Sequence, residues 1–284
     1  MGLLWLDNLT EDDDFITNNT ILGCVKCPKD EALYFERNEK SLFCEDCFLR
    51  LLKWNFKCAI SKRRIFRVIL SQKVVVVLDG SKESAFLFRQ IEEIVKDKTC
   101  KRIVMEPSFV LMLCSMDAAE IGVLEKKLCI LRQALSSTYY IIHLASVFGE
   151  LRMYDDGRCQ GLEHVPKLIE FSKSFRTASS REEMVRILRI RLLEDISRCL
   201  GISKVMTSCN SDVLARLMVN QLCLGRGARV ATMTDVVEKS SRGTTFIRPL
   251  RDISSQEIVA ALRLEKAEHY VLSSYSEDSA LTGF

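Results

Sequence analysis

Cys24-Val25-Lys26-Cys27 and Cys44-Glu45-Asp46-Cys47 are two C-x-x-C pairs with 16 residues between them. A two-residue spacer lets both thiolates of a pair face one point, and two such pairs supply the four ligands of a tetrahedral site. Four soft thiolates suit Zn2+. A site filled by sulfur keeps no position for water, so the expected role is structural. Packed thiols and a redox pair are the alternatives, although a redox pair belongs at the start of a βαβ unit, and two matched pairs fit that poorly. The charged stretch from Lys29 to Lys40 predicts a hairpin or loop between the halves.

A second candidate is Asp79-Gly80-Ser81-Lys82-Glu83-Ser84, which follows Val74-Val75-Val76-Val77-Leu78. Backbone N–H groups and the free end of a helix bind phosphate, and glycine lets the chain approach closely. Gly80, Ser81, Lys82 and Ser84 are therefore candidate nucleotide-binding residues, with ATP as the ligand if the loop binds one. Asp79 brings negative charge towards the same anion site, and Ser81 and Glu83 add atoms to the cradle. An ordinary strand-to-helix turn with a helix N-cap explains the same residues with fewer assumptions.

The segment Phe48 to Arg67 reads as helical in its first half and carries Lys53, Lys57, Lys62, Arg63, Arg64 and Arg67 among Trp54, Phe56 and Phe66. Cations contact phosphates and aromatics stack on unpaired bases, so these six are candidate RNA-binding residues. A solvated amphipathic segment with its aromatics turned inward has the same pattern. The other cysteines, from Cys58 to Cys223, are scattered singly, several in apolar stretches where a thiol packs as a small hydrophobe. His143, His164 and His269 have no sequence-local partner that suggests a triad or a metal site.

These groups need a scaffold. A run of four valines fits a parallel strand covered on both faces. Leu87, Phe88, Ile91, Ile94 and Val95 follow at helical spacing. Arg102–Met105 predicts a second strand ended by Pro107, Asp117–Ala134 a helix, and Tyr139–Val147 a third strand. Lys167–Ser180 reads as loop and short helix. Ser180-Arg181-Glu182-Glu183 has capping-box spacing and predicts a long helix with a stripe of Met184, Ile187, Leu188, Leu192, Ile196 and Leu200, stopped by Gly201. Lys204–Thr207 predicts a strand, Ser211–Leu222 a helix, and Ser254-Ser255-Gln256-Glu257 the start of another. Repeated β-α units mean a doubly wound, mainly parallel α/β sheet, with ligands beyond the carboxyl ends of its strands. The expected division is a zinc-binding module and basic helix over 1–66 and an α/β domain over 67–284.

At 284 residues, 48% apolar and 28% charged, the composition is globular. The net charge of +3 is too small to argue for nucleic acid without a local patch. No window approaches the roughly 20 apolar residues of a membrane span, so no membrane partner is expected. The acidic stretch Met1 to Phe15 does not look like a secretory or transit peptide. Twelve cysteines without an export signal point to thiols or metal in a reducing, cytoplasmic setting.

These elements in this order resemble the second, non-catalytic subunit of the eukaryotic cytosolic tRNA 2-thiolation complex, of the PP-loop ATP-pyrophosphatase superfamily. The resemblance covers about 20 to 273. It rests on the two cysteine pairs, on Leu200-Gly201-Ile202-Ser203-Lys204-Val205-Met206-Thr207-Ser208-Cys209, on Leu224-Gly225-Arg226-Gly227, and on Arg248-Pro249-Leu250-Arg251-Asp252. Family members look similar there, with G-Y-x-K-V-M-x-G-D-S-C, L-G-R-G and R-P-L-R-D, although this chain lacks the Gly-Asp before Ser208-Cys209. The superfamily loop reads S-G-G-x-D-S; here Asp79, Ser81 and Glu83 replace three of its residues.

The resemblance implies a heterodimer in which a catalytic sister subunit adenylates C2 of wobble uridine 34 and inserts sulfur from a ubiquitin-like carrier. This chain then supports the sister and tRNA binding. The sister's Cys-x-x-Cys before the helix matching Arg186–Leu200 is missing from Arg181–Val185, and its Arg-Cys-Lys-Pro-Leu reads Phe246-Ile247-Arg248-Pro249-Leu250. Isoleucine cannot replace a thiolate nucleophile, so no independent sulfur transfer is expected. Larger family members carry further cysteines after the last helix; here the chain stops at Phe284. Two rivals stay open: an ATP-binding tRNA-modifying enzyme, and a zinc-stabilised scaffold without RNA contact.

Overall fold

The computed structural model describes residues 23–29, 34–36, 41–62, 65–66, 72–97, 104–114 and 118–272. The chain divides into two compact units, 1–52 and 53–284. In the first unit, β1 (Tyr34–Glu36) and β2 (Ser41–Phe43) form an antiparallel hairpin with Tyr34 opposite Phe43. The helix α1 (Glu45–Lys62) starts directly after it, and its residues from Lys53 onward belong to the second unit.

The second unit is a seven-stranded sheet with helices on both faces. Its strands are β3 (Gln72–Leu78), β4 (Met105–Leu113), β5 (Thr138–His143), β6 (Cys159–Gln160), β7 (Lys204–Met206), β8 (Val237–Lys239) and β9 (Thr245–Ile247). Their spatial order is β6-β5-β4-β3-β7-β9-β8. Every pairing is parallel except β8 with β9. The helices are α2 (Lys82–Lys96), α3 (Ala118–Ala134), α4 (Val165–Ser172), α5 (Ala178–Leu200), α6 (Ser211–Cys223), α7 (Gly227–Met233) and α8 (Ser255–Leu264). This is the doubly wound, mainly parallel α/β architecture that the repeated β-α units predict.

β3 is central, between β4 and β7, which is why Val74 to Leu78 are all buried. The pleat sends alternate residues to opposite faces. Val75, Val77, Val110, Met112 and Ile142 pack with Met184, Leu188, Leu192 and Ile196 of α5. Phe109 stacks on Tyr139 at 4.9 Å between ring centres and meets Phe88 of α2 at 5.1 Å.

Four expectations need correction. The second strand is Met105–Leu113 and contains Pro107 instead of ending there. The ladder to β5 begins only at Ser108, opposite Thr138, so on that side the missing proline N–H breaks no bond. The third strand stops at His143, whose Nδ1 accepts from the Ala145 N–H at 3.1 Å and turns the chain into a 3-10 helix over Leu144–Phe148. The long helix starts at Ala178: Thr177 is its cap, and Ser180 takes the place expected for Glu183 in the reciprocal box. Ile187 of the expected stripe is 47% exposed, and Val185 and Leu193 are buried instead. Gly201 ends α5 at φ 64, with Ile202 N–H bonded to Ser197 O at 3.0 Å, and the Ser254–Glu257 capping box opens α8 as expected. Among the described residues no helix is long and apolar enough to cross a membrane.

Candidate functional site

The first unit brings Cys24, Cys27, Cys44 and Cys47 together, with their sulfurs all within 4.8 Å of one another. Cys27 Sγ lies 3.6 Å from Cys44 Sγ. Four sulfurs bound at about 2.3 Å to one ion stand about 3.8 Å apart, so a small contraction would close the cluster on a single metal. Cys24, Cys44 and Cys47 are buried. The first knuckle is tied by Cys24 N–H to Lys29 O at 2.9 Å and Val25 N–H to Leu42 O at 3.1 Å, which fastens it to β2. The second lies at the start of α1, where the helix dipole favours thiolates. Burial would push the Cys24 thiol up, but backbone N–H groups of Cys44, Lys26 and Cys27 outweigh it and bring it down from 9.0 to about 6. Burial and the neighbouring sulfurs push Cys47 up to about 12. Arg50 Nη2 donates to Cys47 Sγ at 3.6 Å, a cation beside the sulfur cluster.

The loop after β3 is the second candidate. Gly80 takes φ 85, a left-handed conformation that favours glycine. Ser81 caps α2, its hydroxyl accepting from Ser84 N–H at 3.2 Å, while Ser84 Oγ donates to Ser81 O at 2.9 Å. Ser81 N–H donates to Asp79 Oδ1 at 3.0 Å, and Asp79 Oδ2 lies 3.7 Å from Arg189. Gly80 O accepts from Leu272 N–H at 3.0 Å. Glu83 accepts from Ser255 Oγ at 3.0 Å; Asn210 donates to that same hydroxyl at 2.7 Å, and Ser255 N–H donates to Asp212 at 2.8 Å. N–H groups at the starts of α2 and α8 thus donate to carboxylates that the chain itself supplies, Asp79 and Asp212, and Asn210 at the start of α6 is tied to the same cluster through Ser255. Lys82 is exposed at the first position of α2.

The basic segment divides. Lys53 pairs with Glu93 and Glu265, each at 2.8 Å, and Lys57 lies 3.9 Å from Glu93. Burial works against the Lys53 charge, but the hydrogen bonds to Glu265 and Glu93 more than offset it and raise its pKa. Lys62 sits 5.6 Å from the ring of Trp54, itself exposed. Arg63, Arg64 and Arg67 lie outside the described residues. Phe56 and Phe66 are buried.

Ile247 stands fully buried at the carboxyl end of β9, where the resemblance puts a cysteine in the sister. Sequence reading did not find Arg189 or Ser255 as loop neighbours, because they reach it only through the tertiary fold. It also missed the cluster around Glu183, whose carboxylate is nearly buried and accepts from Arg186 at 2.7 and 2.8 Å, from Gln221 at 3.1 Å and from Arg226. A glutamate read as a helix cap gives no signal of such a role.

No protein-family model matches the chain. It is 29% identical over 248 residues to the cytoplasmic tRNA 2-thiolation protein 2 of Caenorhabditis elegans, covering 86% of this chain and 71% of that one. The Caenorhabditis briggsae protein of the same name is 28% identical over 258 residues, with 89% and 74% covered. The Drosophila ananassae protein is 25% identical over 261 residues, and there the match spans only 62% of the fly protein. Among solved structures, the U34-tRNA thiolase NcsA of Methanococcus maripaludis, which holds a 4Fe–4S cluster, superposes with a TM-score of 0.63 at 16% identity, over 92% of this chain and 78% of that one. The chain is therefore a homologue of the proteins named cytoplasmic tRNA 2-thiolation protein 2, with a fold similar to that of the archaeal U34-tRNA thiolase.

Proposed function

We propose that this chain is a non-catalytic subunit for 2-thiolation of wobble uridine 34 in cytoplasmic tRNAs, paired with a catalytic sister subunit that takes sulfur from a ubiquitin-like carrier. The names of the relatives support the pathway and the compartment. One observation carries the non-catalytic half. The helix ends that would cradle pyrophosphate face Asp79, Glu83 and Asp212, and the Ser81 and Ser84 N–H groups are already bonded within the loop. A second anion would meet like charge and spent donors. The wild-type chain should accordingly bind Mg-ATP or pyrophosphate with a Kd weaker than about 1 mM, or about 4 kcal/mol, by calorimetry. A micromolar Kd would favour the ATP-binding enzyme instead.

In this reading Cys24, Cys27, Cys44 and Cys47 hold one structural Zn2+, which supplies a fixed tetrahedral crosslink and no open coordination position. A four-iron cluster would spread its cysteines around a cube of iron and sulfide, wider than these sulfurs stand. Lys62, Arg63, Arg64 and Arg67 contribute tRNA contacts, whereas Lys53 and Lys57 are largely neutralised by Glu93 and Glu265.

The sister would cover the outer face of α6. Met218, Val219 and Leu222 are 41, 55 and 54% exposed and share one helical stripe, flanked by the exposed Arg216 and Arg229. A partner with an apolar ridge and acidic rim fits it. Deleting the gene should abolish 2-thiouridine in bulk tRNA, measured by mass spectrometry, and the unaltered chain should restore it. A chain with Met218→Glu and Leu222→Glu should neither restore it nor co-purify with the sister. Unchanged thiolation after deletion would sink the pathway assignment; rescue by the double variant would move only the interface.

A further inference from the structure

We infer that the exposed face around α4 is a binding surface for an unpaired RNA nucleotide, with Phe171 as its stacking platform; this rests on the proposed tRNA role and places a contact outside the basic segment. Phe148, at the end of the 3-10 helix that follows β5, meets Phe171 edge-on at 5.6 Å, and Phe171 meets Phe175 at 5.3 Å. Phe148 and Phe175 are partly covered by the core, and Phe171 is 40% exposed. Wedged between two rings, Phe171 is already ordered, so a base docking on it costs little side-chain entropy.

Charge decides what would dock. Lys167 stands one helical turn before Phe171 on α4, and Lys173 and Arg176 follow the helix; all three are exposed and carry no ion pair among the described residues, while Glu163 and Glu170 are the exposed acids of the same segment. Elsewhere basic side chains such as Lys53, Arg89, Arg186 and Arg248 are held by carboxylates. An exposed aromatic platform in a segment with three uncommitted cations suits a π-face joined to phosphate, which is a nucleotide in a single strand. Arg181 Nε holds the Phe175 carbonyl at 3.1 Å, which fixes the turn into α5. Phe148 closes the 3-10 helix that begins directly after the carboxyl end of β5.

The test is fluorescence anisotropy of the full chain with a labelled 12-nucleotide uridine oligomer and with bulk tRNA, at several salt concentrations. Phe171→Ala should weaken oligomer binding about 5- to 150-fold, and Phe171→Trp should keep it. Lys173→Glu with Arg176→Glu should weaken it and lower the salt slope by about 1.4, for two phosphate contacts on a single strand. Thermal unfolding of each variant verifies the fold, and the exposed charge variants keep the test decisive if Phe171→Ala misfolds. If the wild type binds RNA and all variants bind alike, this surface is overturned and the tRNA role stands. If the variants keep RNA but lose a co-purifying protein, the surface is a protein dock and the inference falls. A wild type that binds neither RNA overturns both this surface and the RNA contacts proposed for this chain.

Discussion

Removing the Zn2+ proposed for the four cysteines should cost more than any single side chain in the protein. Structural zinc contributes about 10–16 kcal/mol of apparent binding free energy at neutral pH, and here it would be spread over one short hairpin and the first turn of α1. Chelation, or Cys44→Ser, should release one zinc per chain and open residues 23–47 to protease while the seven-stranded sheet keeps its circular dichroism. Acid should do the same, because all four sulfurs must be deprotonated to ligate and falling pH returns their protons. A purified chain with no metal and an unchanged proteolysis pattern would return these cysteines to packed thiols.

Glu183→Ala should be strongly destabilising although it removes no core hydrophobe. It leaves Arg186, Gln221 and Arg226 facing a vacated, nearly buried carboxylate site. Removing one partner of such a cluster costs about 3–5 kcal/mol. The lower end applies, since Arg226 is half exposed and relaxes into water. The pH dependence has a definite sign. The hydrogen bonds and charge of Arg186, aided by Arg226, outweigh burial and hold the Glu183 carboxyl below its ordinary 4.5. Its stabilisation is therefore complete above 4.5 and is lost as pH falls through the lower folded-state value. Urea unfolding at pH 7 and pH 4 should show the variant about 3 kcal/mol weaker at pH 7, with a shallower acid slope. A difference under about 0.5 kcal/mol, as for an ordinary surface site, would show that the cluster is dispensable.

What could be read in advance followed from how local each signal is. The cysteine quartet was legible because two knuckles encode their own geometry within four residues each, and the central strand because burial on both faces leaves a run of valines. Gly201 and the Ser254 box were legible because caps are local chemistry. The start of α5 was misread because Thr177 and Ser180 can cap as well as Ser180 and Glu183, and only the demand of Arg186 and Arg226 for a buried carboxylate decides between them. β4 was cut short because Pro107 is a breaker only where a ladder needs its N–H. The filling of the loop was half legible. Asp79 and Glu83 are visible as departures, but Arg189, Asn210 and Ser255 arrive from helices and a helix cap more than a hundred residues away. The Phe148–Phe171–Phe175 ladder went unnoticed for the same reason, since one ring comes from a different element.

The position of β3 has a consequence for synthesis. Its partner on one side is β4, but on the other it is β7, with Val75 opposite Val205, about 130 residues later. At typical ribosomal rates of about 5–20 residues per second, some 6–26 s pass between their emergence. For that interval Val74 to Leu78 present an apolar strand with one open hydrogen-bonding edge. The nascent chain is thus an expected chaperone client, and slower decoding between residues 75 and 205 should lower its soluble yield.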